Sequence, residues 1–465
     1  MSIRLAPATG PPYHCRVTAP ALVAHAVRLP QGCDPLALLA LTGAAEGERA
    51  FWSAFDSRVA MAAIGAADVA SAAGPGRMAA IARHIAATRD RLMHAGDAPA
   101  DVRWLGGFAF APAPPLDPWA AFGAARFVLP EALVVRRGTS AHLTAFGPAD
   151  QAGRVAARAR ALAEQLAAWP RDEPASTHAP PGPPAAGFDI AIDADALASR
   201  LGEAVGAIRR GEAAKVVLGV THEVPLVAAP DAVALLSAMA SGAPGCTRFL
   251  VAPSADGALI GATPERLVAV AGRRLRTMAL AGTAPRGHDA RADAAFGRAL
   301  LASAKDRAEH AHVVTAIRED LAGADVASGE LPRLRRLATL QHLETPIHAR
   351  LPARGDVLAE AARLHPTPAL GGRPRATALA LIDRLETESR GWFGGAVGWL
   401  DGRGDGDLAV VIRSLLLCGS TATAFAGAGL VADSDPVAEA HEIALKLRAA
   451  FAPIAALAAG AGQPA

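Results

Sequence analysis

The chain has 465 residues, of which 52% are apolar, and its formal net charge is +2 at pH 7. Charges of both signs are mixed without a basic stripe, so a nucleic-acid partner is not expected. Neither a disulfide framework nor a metal-ligand spacing is suggested by the four cysteines, which are Cys15, Cys33, Cys246 and Cys418.

The first part of the chain, residues 1–165, alternates strand-like runs such as 126–138 with alanine-rich helices such as 76–96 and 150–169. Its opening residues have no continuous apolar segment of the kind found in secretory signals. No run of about 20 apolar residues is free of charge, so a membrane span is not expected. We therefore expect a cytoplasmic protein.

A segment rich in proline and small polar residues separates the two halves. Its sequence, PRDEPASTHAPPGPPAAG at 170–187, is typical of an exposed linker. A helix at 194–212 and a strand at 214–226 follow, and later strands come in hairpin-like groups, as in 248–280. This grouping favours an α+β architecture with antiparallel sheets over a doubly wound parallel sheet.

Two residues of this second half could act as base and acid. Lys215 opens the apolar strand KVVLGV. A lysine there usually keeps its charge at the surface, but burial disfavours the charged form, and a neutral lysine can accept a proton. Glu265 lies in the turn of GATPERLV, where a glutamate is most often solvated. Each segment by itself leaves both interpretations open.

Three further glutamates lie on two predicted helices. Glu309 belongs to the amphipathic helix 302–321, where an i,i+4 pair with Lys305 would explain it. The last helix begins at the cap-and-proline sequence DSDP. One face of that helix carries Glu439, Glu442 and Lys446.

Arg413 lies within LAVVIRSLLL, which predicts a strand buried on both faces. A buried arginine requires a carboxylate partner from the protein or from a ligand. Glycine-rich stretches at 280–287 and 425–431 would let backbone N–H groups approach a ligand, and neither has the ending of a P-loop. Carboxylates without His or Cys partners favour Mg²⁺ over zinc, with an anionic substrate completing its shell.

Ten motifs occur in an order that resembles the chorismate-utilising enzymes, a family that includes isochorismate, salicylate, anthranilate and aminodeoxychorismate synthases. They span about 190–450 and are KVVLGV, GATPERLV, LAGTAPRG, SAKDRAEH, QHLETPI, LHPTPALGGRPR, RGWFGGAVGWLDGRGDGD, VIRSLLL, FAGAGLVADSDP and HEIALKL. The N-terminal half resembles the variable half of isochorismate synthases more weakly, through WLGGFAFAP.

The resemblance implies a single α+β sandwich, in which two antiparallel sheets pack together with helices outside. Its expected parts are a variable N-terminal half at 1–165, a linker at 166–188, a chorismate-binding catalytic region at 189–455 and a frayed tail at 456–465. The linker is then a surface crossing within one unit and not a boundary between independent domains.

The resemblance also implies roles for individual residues. Lys215 matches the base that activates water, and Glu265 matches the acid that protonates the departing hydroxyl. The implied ligands of Mg²⁺ are Glu309, Glu442 and, close to them, Glu439. The implied substrate-binding positions are Gly282, Thr283, His342, Ala369, Leu370, Phe393, Arg413, Gly427 and Lys446, with Phe425 as a further pocket wall. The chain departs from the family pattern at Gly219-Val220, Thr263 and Gly406-Asp407-Leu408, without losing a named catalytic group.

The function implied is that of an isochorismate synthase, which converts chorismate reversibly by adding water at C2 as the C4 hydroxyl leaves. The alternative is a salicylate synthase, which forms the same intermediate and then eliminates pyruvate, but HPTPAL and TPIHARL resemble isochorismate synthases more closely. Amine-transferring synthases generally lack the base, so Lys215 argues against them, and the full set of acid, base and metal groups argues against a non-catalytic chorismate-binding protein.

The expected partner is the small-molecule substrate alone, and the sequence is compatible with a monomer. Siderophore, salicylate and menaquinone biosynthesis all remain open as the pathway that uses the product.

Overall fold

The computed structural model describes residues 20–460 except 44–46, 57, 97, 99, 171–192, 330 and 339. In chain order, the strands of the described residues are β1 (Leu22–Leu29), β2 (Arg49–Ser53), β3 (Val59–Ile64), β4 (Asp68–Ala72), β5 (Leu92–Gly96), β6 (Arg103–Phe108), β7 (Ala125–Leu129), β8 (Ala132–Arg137), β9 (Ser140–Pro148), β10 (Lys215–Pro225), β11 (Thr247–Ala252), β12 (Gly257–Thr263), β13 (Arg266–Ala271), β14 (Arg274–Pro285), β15 (Asp325–Ser328), β16 (Arg333–Arg336), β17 (Leu340–Arg350), β18 (Gly372–Arg373), β19 (Ala396–Asp401), β20 (Gly406–Val410), β21 (Ser414–Cys418) and β22 (Thr421–Leu430).

The helices of the same residues are α1 (Leu36–Thr42), α2 (Arg77–Arg89), α3 (Ala152–Ala168), α4 (Ala194–Arg209), α5 (Ala232–Gly242), α6 (Ala290–Ala302), α7 (Ala304–Asp320), α8 (Val357–Leu364), α9 (Arg375–Leu385) and α10 (Pro436–Gly460), with a short 3₁₀ helix at Ala149–Gln151. Helix α7 starts after Ser303, whose Oγ accepts a hydrogen bond from the Asp306 N–H at 3.2 Å. Helix α10 starts after Asp435, whose carboxylate accepts from the Val437 N–H at 3.0 Å. The cap of α10 is the one expected from the sequence, and the cap of α7 at Ser303 follows the same chemistry.

The strands form two large sheets, and each sheet joins the two halves of the chain. The first sheet has the order β18-β10-β22-β21-β12-β11-β2-β3-β8-β9-β1-β5, and its halves meet where β11 pairs with β2. The second has the order β15-β17-β14-β13-β20-β19-β6-β7-β4, with β16 paired to β17, and its halves meet where β19 pairs with β6. The pairs are antiparallel except for β1 with β5, which is parallel.

The two sheets pack face to face, as the edge-to-face contact between Trp52 of β2 and Trp399 of β19 illustrates, with ring centroids 6.3 Å apart. Helices pack against both sheets: α3 against β1 and β9, α10 against β22, α7 against β14, and α8 against β13. The predicted α+β sandwich is confirmed. The continuous sheets place the N-terminal half and the catalytic region in one unit.

The predicted linker and tail are only partly visible. Helix α3 continues to Ala168, and most of the predicted linker, from 171 to 188, lies outside the described residues. Helix α10 continues through Gly460, into the segment predicted to be frayed, and residues 461–465 lie outside the described residues. Among the described helices, none has the length and hydropathy needed to cross a membrane.

Two connections carry the chain from one sheet to the other at the same end of the sandwich. Pro264 and Glu265 link β12 of the first sheet to β13 of the second, and residues 411–413 link β20 of the second sheet to β21 of the first. Backbone hydrogen bonds join these connections, from the Ala262 N–H to the Arg413 carbonyl at 3.2 Å and from the Val410 N–H to the Glu265 carbonyl at 3.0 Å. Strand ends that are fixed in this way can hold side chains in a constant geometry.

Candidate active site

The predicted base is buried in an ion pair. Lys215 is 1% exposed at the first position of β10, and its Nζ donates a hydrogen bond to Oε1 of Glu309 on α7 at 2.8 Å. The pair lies over Gly429 of β22, where a Cβ would approach Glu309 Oε1 to 2.9 Å and Lys215 Cε to 3.1 Å. Glycine at this position therefore gives the amine and the carboxylate the room to meet.

Glu309 does not form the local pair that its helix suggested. Its partner is Lys215, 94 residues away in sequence, whereas the ammonium group of Lys305 lies 3.7 Å from Glu439 on α10. The i,i+4 interpretation of Glu309 is therefore wrong. Tertiary contacts decide the partner. An unpaired buried charge is strongly destabilising, whereas an exposed ion pair along one helix contributes little to stability.

The predicted acid lies within electrostatic range of two cations. Glu265 is 5% exposed, and burial raises the pKa of its carboxyl to about 7, against the opposing effect of the positive charges of Lys215 and Arg413. At neutral pH a substantial fraction of this side chain is therefore protonated. A carboxylic acid in this state can donate a proton, which an ordinary surface glutamate cannot do near pH 7.

Arg413 was predicted to lie inside a doubly buried strand, and this prediction is wrong. The apolar run LAVVIRSLLL is divided between β20 and β21, which belong to different sheets, and Arg413 lies in the connection with a φ of +52°. Such a backbone conformation is uncommon for a residue with a side chain. The connection directs the guanidinium into the region beside Glu265 and His342.

The guanidinium of Arg413 donates a hydrogen bond from Nη2 to Nε2 of His342 at 2.6 Å. Burial, together with the charge of Arg413, lowers the pKa of His342 to about 3, so this imidazole is neutral. With Nε2 accepting from the arginine, Nδ1 carries the proton and lies 3.3 Å from the Gly282 carbonyl and 3.1 Å from Thr283 Oγ1. Among the described residues, Arg413 has no carboxylate partner.

Gly282 provides the irregular backbone that this arrangement requires. Its φ is +75°, and the pairing of β14 with β17 shifts register between Ala281 and Thr283. A glycine in the left-handed region at such a shift is a β-bulge, which redirects the side chains that follow it. The bulge places Thr283 opposite His342.

The last predicted cation belongs to α10. Lys446 Nζ donates to the Gly427 carbonyl of β22 at 2.9 Å and lies 2.8 Å from the carboxylate of Glu442, one turn earlier on the helix. Its charge contributes to the lowered pKa of His342, which places it near the arginine–histidine pair. Glu439, on the same helix, accepts from Ser434 Oγ at 3.1 Å.

The predicted pocket walls lie beside β10 and β22. The rings of Phe393 and Phe425 stack with centroids 5.3 Å apart and an interplanar angle of 18°. Leu370 is 6% exposed, and Ala369 precedes it in the turn that leads to β18. A Cβ on Gly219 of β10 would come within 3.3 Å of the Phe393 ring, so these walls are close to the strand that carries Lys215.

Two residues near the site were missed by sequence reasoning. Arg335 pairs with His342 across β16 and β17, and its charge acts on both His342 and Arg413. His310 follows Glu309, is neutral with a pKa lowered by burial to about 4, and its Nε2 lies 2.8 Å from Thr345 Oγ1. In the sequence, Arg335 belongs to the basic run RLRR and His310 is the last residue of SAKDRAEH. Only the pairing of β16 with β17 shows that Arg335 lies near the site.

The three predicted metal ligands are each engaged with a cationic side chain: Glu309 with Lys215, Glu439 with Lys305, and Glu442 with Lys446. The pKa of Glu439 is raised by burial and by the charge of Glu442, so these two carboxylates lie near each other. Within the described ranges, no group of three or more His, Cys, Asp or Glu side chains converges as a metal site. The donors are carboxylate oxygens, the type that Mg²⁺ prefers, and such ions take few protein ligands.

Comparison with known proteins identifies the family. Residues 13–454 match the family model described as chorismate binding enzyme. The chain belongs to the chorismate binding enzyme family. It is 38% identical over 363 residues to the salicylate biosynthesis isochorismate synthase of Pseudomonas aeruginosa, a match that covers 76% of this chain and 74% of the relative. It is 39% identical over 235 residues to the isochorismate synthase EntC of Escherichia coli K12, covering 50% of this chain and 60% of that protein.

The fold of this chorismate binding enzyme is also that of solved structures. The structure of MenF, the menaquinone-specific isochorismate synthase of Escherichia coli, matches with a TM-score of 0.78 and 25% identity, over 94% of this chain and 95% of MenF. The family assignment made from the ten motifs is thereby confirmed, and so is the sandwich across both halves of the chain. The roles of individual site residues remain predictions.

Proposed function

We propose that this chorismate binding enzyme is an isochorismate synthase, which interconverts chorismate and isochorismate. Membership of the family and similarity to several isochorismate synthases support the assignment. Within the family the reactions differ in the nucleophile and in the fate of the intermediate that its addition forms, so the side chains of the site must decide between them.

The observation that carries the proposal is the buried amine of Lys215, held by Glu309 and close enough to Glu265 for their charges to interact. Addition of water requires a base to remove its proton, whereas ammonia is already a nucleophile. A lysine that is 1% exposed, at the end of a rigid strand, supplies such a base. This feature favours water as the nucleophile over an amine-transferring synthase.

The reaction requires one proton to be removed and another to be supplied. In the proposed mechanism Lys215 acts as the base and takes a proton from water as the water oxygen bonds to C2 of chorismate, and the ring double bonds shift. Protonated Glu265 gives its proton to the C4 hydroxyl, which leaves as water. In the reverse direction the two side chains exchange roles, so the reaction is reversible.

The cationic part of the site suits a substrate with two carboxylates. Arg413 is partly buried and forms no ion pair with a carboxylate among the described residues, and its hydrogen-bond partner there is the neutral His342. A buried guanidinium of this kind is stabilised when an anionic ligand provides the missing charge. Lys446 lies near the same imidazole, so the two cations can hold the carboxylates of chorismate.

We propose Mg²⁺ as the cofactor, with Glu309 and Glu442 as ligands and Glu439 next to them. The donor set fits a hard cation because all three side chains offer carboxylate oxygens. When bound, the ion would neutralise the negative charge of a substrate carboxylate. Each glutamate contacts a lysine in the structure, so metal binding would exchange one cationic partner for another.

The test is product analysis over time. The purified protein is incubated with chorismate and Mg²⁺, and the products are separated at intervals, with the Lys215→Ala variant as the control. Isochorismate should appear as chorismate disappears, and the variant should form little of it. Pyruvate released in step with chorismate loss from the first turnover would instead assign the protein as a salicylate synthase.

The location and assembly remain part of the proposal. A cytoplasmic monomer is the expectation from the sequence, and size-exclusion chromatography with light scattering measures the assembly directly.

A further inference from the structure

One edge of the strand that carries Lys215 is completed by side chains instead of a neighbouring strand. Strand β18 is only two residues long and pairs with β10 at Lys215 and Val216. Beyond that point, Arg390 Nη2 donates to the Val217 carbonyl at 2.7 Å, and Oε1 of Glu386 accepts from the Gly219 N–H at 2.6 Å. Backbone groups at a buried strand edge require such partners.

Arg390 connects three parts of the proposed site. Its Nη2 bonds β10, its Nη1 donates to the Leu370 carbonyl at 2.8 Å, and its own carbonyl accepts from the N–H of Phe393 at 2.9 Å. The strand of the base and two pocket walls are thus tied to one residue. Its guanidinium is also paired with Glu386, with Nε to Oε2 at 2.9 Å.

The Arg390–Glu386 pair is buried and closely packed. The side chains of Arg390 and Glu386 are 5% and 8% exposed, and the Arg390 guanidinium carbon lies 4.1 Å from the centroid of Phe110. Gly219 makes the approach feasible, because a Cβ there would lie 3.1 Å from Arg390 Nε and 3.3 Å from Glu386 Oε1. A buried ion pair with every nitrogen engaged fixes geometry even where its net contribution to stability is small.

We propose that Arg390, oriented by Glu386, is a positioning residue that sets the location of the Lys215 amine. The proposal rests on the proposed function, in which Lys215 is the base. Because Val217 is two residues from Lys215 on the same strand, freeing its carbonyl loosens the strand where it carries the amine. Misplacement of a catalytic group by about 1 Å costs about 10²-fold in rate.

The effect should fall on turnover more than on substrate binding. Arg413 is held by His342, and Lys446 by the Gly427 carbonyl, so the proposed carboxylate-binding groups have anchors of their own. Loss of the Arg390 contacts therefore leaves them in place. We expect kcat to fall about 10²-fold while KM for chorismate changes much less.

The experiment compares Arg390→Lys, Arg390→Ala and Glu386→Gln with a matched control. Arg390→Lys keeps the positive charge, but the single ammonium group cannot bond β10, the Leu370 carbonyl and Glu386 together. Glu386→Gln removes the negative charge and keeps an acceptor for the Gly219 N–H. The control is Arg103→Ala in β6. As whole residues, Arg103 is 9% exposed and Arg390 is 6% exposed. The guanidinium of Arg103 lies over the ring of Trp399, 3.8 Å from its centroid. Both arginine-to-alanine changes remove a buried guanidinium.

Two measurements separate positioning from a general loss of stability. The first is kcat and KM per folded protein, with and without guanidinium ion at a concentration that leaves the fold intact. A cavity of about 60 Å³ beside the pair, lined in part by the exposed Thr387 and Glu388, gives this small cation access. We expect added guanidinium ion to restore part of the kcat of Arg390→Ala. It should not restore any kcat that Arg103→Ala loses.

The second measurement is hydrogen–deuterium exchange in the peptide 214–221. Exchange should accelerate in the Arg390 variants and not in Arg103→Ala. Folded Arg390→Lys and Glu386→Gln with kcat near that of the wild type would overturn the proposal, as would a rise in KM at constant kcat. Should the alanine variant not fold, those two variants decide. A wild-type protein that does not convert chorismate would refute the proposed function, and unchanged exchange in β10 would then still refute the role of Arg390.

Discussion

Replacing Glu265 by glutamine should stabilise the fold at neutral pH while it removes the acid of the proposed reaction. The folded protein holds the proton of Glu265 with a pKa of about 7, against an ordinary value of 4.5, because burial disfavours the carboxylate. The wild-type chain therefore loses stability as pH rises from about 4.5 through about 7, since the folded state must either keep a proton or bury a charge. Glutamine has a similar shape and no charge to bury.

The magnitude follows from the difference between the two pKa values. A difference of about 2.5 pKa units, at about 1.4 kcal/mol for each unit, corresponds to about 3.5 kcal/mol. This is an order-of-magnitude figure, and it is almost fully expressed at pH 7 and above. At pH 4 both states of the wild type are protonated, so the advantage of the variant should vanish there.

Urea denaturation at several pH values measures the effect, with Glu203→Gln as a control because Glu203 is exposed on α4. Relative to both the wild type and the Glu203→Gln control, Glu265→Gln should gain free energy of unfolding as pH rises from about 4.5 to 7. The kcat/KM of the wild type should fall as pH rises above about 7, because the acid ionises. A variant that is less stable than the wild type at pH 8, or a difference that does not change with pH, would refute the reasoning.

Four further predictions concern the remaining groups of the site. Activity should be lost in excess chelator and restored by Mg²⁺, and full turnover of metal-free protein would contradict the proposed cofactor. Arg413→Ala should raise KM for chorismate about 30-fold or more, from the truncation of a buried charged contact, while circular dichroism shows an intact fold; an unchanged KM would make this arginine structural. Lys215→Ala should lower turnover about 10²–10⁴-fold while calorimetry still detects chorismate binding, and near-normal activity would exclude it as the base. Gly429→Ala should lower kcat about tenfold or more, because its Cβ would enter the space of the Glu309–Lys215 pair, whereas Gly153→Ala, with nothing within 4 Å of the added atom, should be neutral; equal activity of both would contradict the close packing.

The sequence was sufficient for the fold and for several of the residues that lie together at the candidate site, but not for Arg335 and His310. Lys215, Glu265 and Arg413 belong to three separate motifs, and the structure brings them within electrostatic range of each other. Motif order could predict this because the resemblance covered whole segments. The N-terminal strands were harder to place, since their pairing with β11 and β19 depends on partners that are distant in sequence.

The errors at single residues have a common physical origin. Arg413 was assigned to a strand because the apolar residues on both sides of it form one continuous run, without the glycine or proline that usually marks a turn. The chain instead changes sheets there over three residues, with Arg413 itself adopting a φ of +52°. Glu309 was paired with the nearest lysine on its helix, although its partner is 94 residues away. Local patterns describe the helix or strand but not the element packed against it.

The groups proposed for proton transfer and those proposed for metal binding lie on different kinds of secondary structure. Proton transfer depends on distances near 3 Å, and both residues proposed for it lie at strand ends: Lys215 beside the edge completed by Arg390, and Glu265 in a connection bonded to the one that carries Arg413. Mg²⁺ usually keeps several waters and takes few protein ligands, and the carboxylates that would hold it lie on the helices α7 and α10. In the proposed mechanism the sheets therefore hold the two proton-transfer groups, and the helices carry the proposed metal ligands. A substitution that shifts either strand end by a fraction of an ångström should therefore lower turnover, because proton transfer requires a hydrogen-bond distance.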